Sequence, residues 1–368
     1  MITSAARIRA MNSEYIEWAK TQAHATYNLA NSGMTPYPLK ELPVKIEDLE
    51  INGPSLYGYE PLQSALAKKC GVETDCVVAA VGTTMANFLV MAATIEAADE
   101  VLIEEPAYEP LLNVARYLGA EIKRFPRRFA EGFQVDPQEI SRAITSRTRL
   151  IVITNLHNPS NAFIEEQVLK TIGDMAQGVG ARVLVDEVYL DAMFADAPRS
   201  SFHLGNQFVV TSSLTKAYGL SGLRCGWILA EPDLAKKLWG LLDLVIGIPA
   251  HPAELLSCIA LANLEKIAQR SRGILDTNRA VLNRFLSERE DLEVRKSEYG
   301  TVIFPRLKSG RVDELCRALR EKYETTVVPG KYFEMPEHFR LGYACEPKMF
   351  AEGIERLKKA MDELGIRR

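Results

Sequence analysis

FVVTSSLTKAYGLSGLRCGW, residues 208–227, begins as a near-continuous apolar run. It then breaks into hydroxyl residues, a lysine, three glycines and an arginine. An opening of this kind predicts a strand buried on both faces. Five further runs share it: VVAAV (77–81), EVLIEE (100–105), LIVITN (150–155), RVLVDEVY (182–189) and GWILAE (226–231). Helix-length segments separate them, among them Thr84–Ala97, Pro110–Leu118 and Glu165–Gln177. The alternation predicts an α/β unit with a mainly parallel sheet covered on both sides.

Past Pro249 the pattern changes to a long helical stretch, Ala253–Glu290. Short strands follow (Thr301–Pro305, Thr325–Val328, Phe339–Gly342), mixed with helices at 311–322 and 347–364. The expected division is an N-terminal arm at 1–45, a large domain at 46–252 and a smaller α+β domain at 253–368. The arm reads as a helix followed by an extended Pro-rich segment, Pro36–Pro43, that packs across the structure or against a partner subunit.

The 368 residues are 47% hydrophobic and 25% charged, an ordinary globular composition. Lys and Arg total 44 against 48 acidic residues, which argues against a nucleic-acid binder. The six cysteines contain no C-x-x-C pair, and no histidine spacing suits zinc, so neither a metal site nor a disulfide framework is expected. Residues 1–20 are charged throughout, unlike a signal peptide. The most apolar stretches, Met85–Ala98 and Leu238–Ala250, are too short for a bilayer. No membrane contact and a cytoplasmic location are expected.

Chemistry concentrates at residues 211–227. Lys216 has Ser213 three residues before it and Thr215 one before, with Gly219, Gly222, Arg224 and Gly226 after it. Glycines permit close backbone approach, and Ser, Thr and Arg satisfy a phosphate. An amine nucleophile thus stands beside a phosphate cradle, as an enzyme using pyridoxal 5'-phosphate requires. Neither G-x-G-x-x-G nor G-x-x-x-x-G-K-[ST] is present, which weakens a nucleotide-binding reading.

SLTKAYGLSGLRCG (213–226) resembles the lysine motif of the class I/II aminotransferases, the fold-type I pyridoxal phosphate enzymes. Other segments resemble that family in its own order from 56 to 344: LYGYEPLQSAL (56–66), VGTTMANF (81–88), PAY (106–108), NLHNPSN (155–161), LVDEVYLD (184–191) and VVPGKYF…FRLGYA (327–344). The resemblance implies an aspartate aminotransferase-like fold with a mainly parallel, seven-stranded-type sheet. It also implies a homodimer with shared active sites. The implied activity moves an amino group between an L-amino acid and a 2-oxo acid; a lyase, decarboxylase or cyclising synthase on the same fold is the alternative.

The resemblance further assigns roles. Lys216 would hold the cofactor as an imine and shuttle the substrate proton. Asp186 would pair the pyridine nitrogen, and Tyr189 and Asn158 would bond the phenolic oxygen. Tyr108 would stack on the ring. Thr83, Thr84, Ser213, Thr215 and Arg224 would hold the phosphate, with Tyr57 reaching it from a neighbouring subunit. Arg340 would grip the substrate carboxylate, with Asn158 beside it and Gly33 where the N-terminal segment closes. The family turn ends in glycine, whereas Asn161 stands here; Asn tolerates a left-handed backbone, so the turn is expected to survive. His157 reads as structural. Tyr15, Asn31 and Tyr332 are candidates for reading the substrate side chain, and Arg116, Arg272 and Arg295 are equal candidates for a second arginine.

Overall fold

The computed structural model describes residues 11–54, 56–295 and 297–366. The six expected runs are strands: β1 (Val77–Val81), β2 (Glu100–Glu105), β4 (Thr148–Thr154), β5 (Arg182–Asp186), β6 (Phe208–Ser213) and β7 (Cys225–Leu229). A further strand, β3 (Glu121–Pro126), completes a seven-stranded sheet in the order β1-β7-β6-β5-β4-β2-β3. Only β7 runs antiparallel to its neighbours; the other pairings are parallel. The sequence reading missed β3 because its charged residues, EIKRFP, break the apolar pattern. An edge strand pairs on one side only, here with β2, and escapes the burial that makes central strands uniformly apolar.

Inside the sheet, alternate side chains feed two cores. Val77 and Ala79 of β1 pack in one, Val78 and Ala80 in the other; Phe208 and Val210 of β6 oppose Val209 in the same way. The helices α2 (Glu60–Cys70), α3 (Gly82–Thr94), α4 (Glu109–Tyr117), α5 (Glu166–Gly178) and α6 (Pro232–Val245) flank this sheet. The run RVLVDEVY leaves the strand at Asp186, where the chain turns at once: Leu190 N donates to Glu187 O at 2.9 Å.

The expected single helix at 253–290 is two, α7 (His251–Ala262) and α8 (Leu264–Ser287). The break falls at Asn263, whose ψ of 18° leaves the helical region. Helix α8 joins the two halves of the molecule. It supplies Ile267 to the first core, and Leu275, Leu282 and Phe285 to another built with α9 (Val312–Tyr323) and α10 (Pro347–Glu363). There an antiparallel sheet, β8 (Val302–Ile303), β10 (Phe339–Gly342) and β9 (Val328–Pro329), places β10 in the middle.

The first ten residues of the expected arm lie outside the described residues. From there on, α1 (Glu14–Thr21) leads to Tyr27–Asn28, paired in parallel with Thr325–Thr326. Leu29 and Met34 then enter the core built with α9 and α10, and Tyr37 and Leu42 the first sheet core. This segment therefore crosses between the two halves. Among the described residues no helix is long and apolar enough to cross a membrane.

Candidate active site

A cavity of about 420 Å³ opens at the carboxyl ends of β5 and β6, where open α/β sheets place ligands. Its lining includes Thr83, Thr84, Tyr108, Asn158, Asp186, Tyr189, Ser213, Thr215, Lys216 and Arg224, residues that the sequence scatters over 142 positions, from 83 to 224. Parallel strands end side by side at one edge, so the loops that follow them converge.

Asp186 ends β5 fully buried. Its Oδ2 accepts from Asn87 Nδ2 at 2.8 Å and its Oδ1 from Val188 N at 3.1 Å. Burial pushes the carboxyl up to about 6, against the lowering effect of those two donors. The arrangement is a buried acid ready for a cationic partner. Asn87 is held by Thr211 Oγ1 of β6, which donates to its Oδ1 at 2.6 Å. Sequence reasoning missed Asn87, although it stands four residues after Thr83 and so shares its face of α3.

At the other end of the cavity, α3 begins at Gly82, Thr83 and Thr84. The Thr83 hydroxyl is buried without a partner among the described residues. Gly82 has φ +78°, and a Cβ there would come within 2.2 Å of Arg224 Nη2. Glycine is what lets the guanidinium lie against the helix start. Arg224 donates to Val81 O and Ser221 O at 3.3 and 3.1 Å. An orphaned hydroxyl, a helix N-terminus and an arginine together suit a phosphate.

Lys216 lies half-buried between these ends. Its Nζ donates to Ser32 Oγ at 3.0 Å, and the same oxygen accepts from Tyr189 OH at 2.8 Å. Burial lowers the Lys216 pKa, helped by the nearby positive charges of Arg340 and Arg224, although Tyr15 and Asp186 oppose the shift. Ser32 was also missed; it precedes Gly33 in NLANSG (28–33), and nothing local marks it. Gly33 lies against the lysine: a Cβ there would sit 3.3 Å from Lys216 Cδ.

Another side of the cavity is closed by α1. Arg340 is buried, donating from Nη1 to Asn158 Oδ1 at 2.8 Å, and from Nη2 to Tyr15 OH at 2.8 Å and Ala30 O at 3.1 Å. A buried ion pair supports this wall from behind. Arg127 meets Glu104 at 2.7 Å, Glu104 accepts from Thr154 Oγ1 at 2.5 Å, and that hydroxyl accepts from Asn158 N at 3.2 Å. Neither member of the pair was marked in the sequence, because Glu104 sits inside a strand run.

Residues 50–357 match the family model described as aminotransferase class I and II. The chain belongs to that family. A probable aspartate/prephenate aminotransferase of Aquifex aeolicus is 29% identical over 83% of this chain and 82% of its own. Capreomycidine synthase of Streptomyces vinaceus is 28% identical over 93% and 90%. Among solved structures, a PLP-dependent aminotransferase from Streptococcus suis superposes with a TM-score of 0.89, at 26% identity, covering 95% of this chain and 97% of that one.

Most of the expected site residues gather in one cavity, but three do not line it: Arg340 lies behind Tyr15 and Asn158, Gly33 lies against Lys216, and Tyr57 is the third. Tyr57 is 63% exposed and does not line the cavity of its own chain. Asn161 takes φ +61°, so the turn survives without the family glycine, and its Nδ2 reaches Val302 O in the second half of the molecule. Both ring nitrogens of His157, expected to be structural, have partners. Its Nδ1 meets Ser160 Oγ at 2.6 Å and its Nε2 meets Pro106 O at 3.0 Å, pinning the loop that carries Tyr108. Asn31 lines the cavity, whereas Arg116, Arg272, Arg295 and Tyr332 do not.

Proposed function

We propose that this chain, an aminotransferase by family, transfers an amino group between an L-amino acid and a 2-oxo acid with pyridoxal 5'-phosphate as carrier. The observation that carries the reading is the gathering of Lys216, the buried Asp186 and the unpartnered, buried Thr83 hydroxyl around one cavity. These groups fit the cofactor at three separate points.

Thr83, Thr84, Ser213, Thr215 and Arg224 would hold its phosphate, Asp186 its ring nitrogen, Asn158 and Tyr189 its phenolic oxygen, and Tyr108 its ring face. When bound, the cofactor supplies an electron sink for charge developing at the substrate Cα. Lys216, with its lowered pKa, has a larger neutral fraction able to attack and to take the Cα proton at Nζ. Ser32 aims that amine. Arg340 and Asn158 orient the substrate carboxylate so that the bond to be broken faces the ring.

An exposed apolar face supports assembly as a homodimer. Ile46, Ile51 and Leu56 are more than four-fifths exposed beside Tyr57, and Gly58 rests against Trp239 of α6, whose far end exposes Leu244. A second copy seated there would bring Tyr57 to its phosphate site. We divide the chain functionally at 46–252 and 253–368, with 1–45 as the covering arm, and place it in the cytoplasm, in keeping with its six free cysteines.

Borohydride reduction of the cofactor-loaded enzyme, followed by peptide mapping, should leave the pyridoxyl adduct on Lys216. An adduct on another lysine overturns the assignment. Similarity to capreomycidine synthase favours a cyclising reaction as the second reading. The half-reaction separates the two: loss of cofactor absorbance with release of a 2-oxo acid marks aminotransfer, and a cyclic amino acid product marks the other.

A further inference from the structure

The sequence left Tyr15 as a candidate reader of the substrate side chain, but its hydroxyl meets Arg340 instead. Arginine carries five N–H bonds. Nη2 spends both of its own on Tyr15 OH and Ala30 O, and Nη1 spends one on Asn158 Oδ1. Arg340 does not itself line the cavity, whereas Tyr15 and Asn158 do. A carboxylate entering the cavity meets the tyrosine hydroxyl in front of Nη2. That hydroxyl oxygen accepts from the guanidinium, and its own proton has no acceptor among the described residues.

We propose that Tyr15 is a substrate-binding residue, its O–H donating to the α-carboxylate in front of Arg340. The proposal rests on the aminotransferase reading of the same cavity. An arginine donating into the phenol oxygen polarises the O–H and makes it a stronger donor, so the tyrosine relays the arginine's charge to the ligand.

The placement is set before substrate arrives. Glu109, next to Tyr108, accepts from Ser13 Oγ at 2.6 Å, Tyr15 N at 2.7 Å and Glu14 N at 3.1 Å, tying the start of α1 to the large sheet. On its other side the Tyr15 ring meets Phe333 and Tyr332 at centroid distances of 5.6 and 6.0 Å. A donor held between two halves of the molecule loses little freedom on binding.

The test uses the holoenzyme. Wild type is screened with the protein amino acids by loss of cofactor absorbance, and each that reacts is paired with the amine that lacks its α-carboxylate. Tyr15→Phe keeps the ring and removes only the hydroxyl. It should lower kcat/KM for amino acids by roughly tenfold or more, mainly through KM, and leave the paired amines within about twofold. Trp18→Phe, on the same helix and lining the same cavity, should treat acid and amine alike.

Equal losses on both substrate types in Tyr15→Phe, or no loss on either, overturn the proposal while the aminotransferase reading stands. So does a discrimination by Trp18→Phe as large as that by Tyr15→Phe. A wild type that converts no amino acid overturns the aminotransferase reading and the proposal with it.

Discussion

The two walls of the cavity are built differently. The wall around Asp186, Asn87 and Thr211 lies within the large sheet and the helix packed on it, and its polar groups satisfy one another inside a rigid core. The wall around Arg340, Tyr15 and Ala30 is assembled from chain segments more than 300 residues apart, meeting only where the N-terminal segment crosses between the halves. The first can hold a group permanently. The second is held by contacts between distant parts of the chain, with Tyr15, Ala30 and Phe333 packed in one apolar cluster where those parts meet.

The strongest way to break this contrast is Arg340→Ala. Loss of charge-assisted bonds worth about 1.5–3 kcal/mol each should cut kcat/KM for amino acids at least tenfold, while cofactor absorbance and turnover of carboxylate-free amines persist. If absorbance were lost as well, the two walls would be one unit.

Next in size is a pH effect on the first wall. The Asp186 carboxyl titrates near 6 in the cofactor-free fold against an ordinary 3.8. A pKa raised on folding contributes stability that is present below the unfolded value and lost as pH rises through the folded one. Relative to Asp186→Asn, the cofactor-free wild type should therefore lose on the order of 3 kcal/mol of unfolding free energy between pH 4 and pH 8, followed by urea unfolding. A flat difference would mean that Asp186 is not desolvated. Cofactor loading should shrink the effect, since a cationic ring nitrogen offsets the burial.

The smallest effect sharpens the comparison at the joint between the walls. Glu109→Ala removes the acceptor at the start of α1, which holds the Tyr15 backbone, but leaves the Tyr15 hydroxyl and Arg340 in place. A lost helix-start acceptor costs about 1 kcal/mol, which here appears as a roughly fivefold rise in amino-acid KM with kcat retained. A fall in kcat of similar size, with KM unchanged, would place Glu109 in the chemistry instead.

Much of the first wall could be read without coordinates. Lys216, Asp186, Thr83 and Arg224 each sit where an apolar run ends or a helix begins, so local pattern marks them and parallel topology collects them at one edge. Asn87 needed only the helical period from Thr83. The edge strand β3, the break at Asn263, and the pair Glu104 and Arg127 left no such trace, because charge at an edge, a lapse in a helix and a buried ion pair look locally like solvated surface.

The chain's own pattern thus determined the mainly parallel sheet, the order of its motifs and the chemistry of the residues around Lys216 and Asp186, since each depends on neighbours within a few positions. Tertiary structure alone decided that Ser32 holds Lys216 and Tyr189 together, that Tyr15 meets Arg340, and that Tyr57 faces away from its own cavity. Those pairings depend on how the N-terminal segment is laid across two cores. No local periodicity encodes the meeting of residues 15 and 340, because the contact is set by the packing of everything between them.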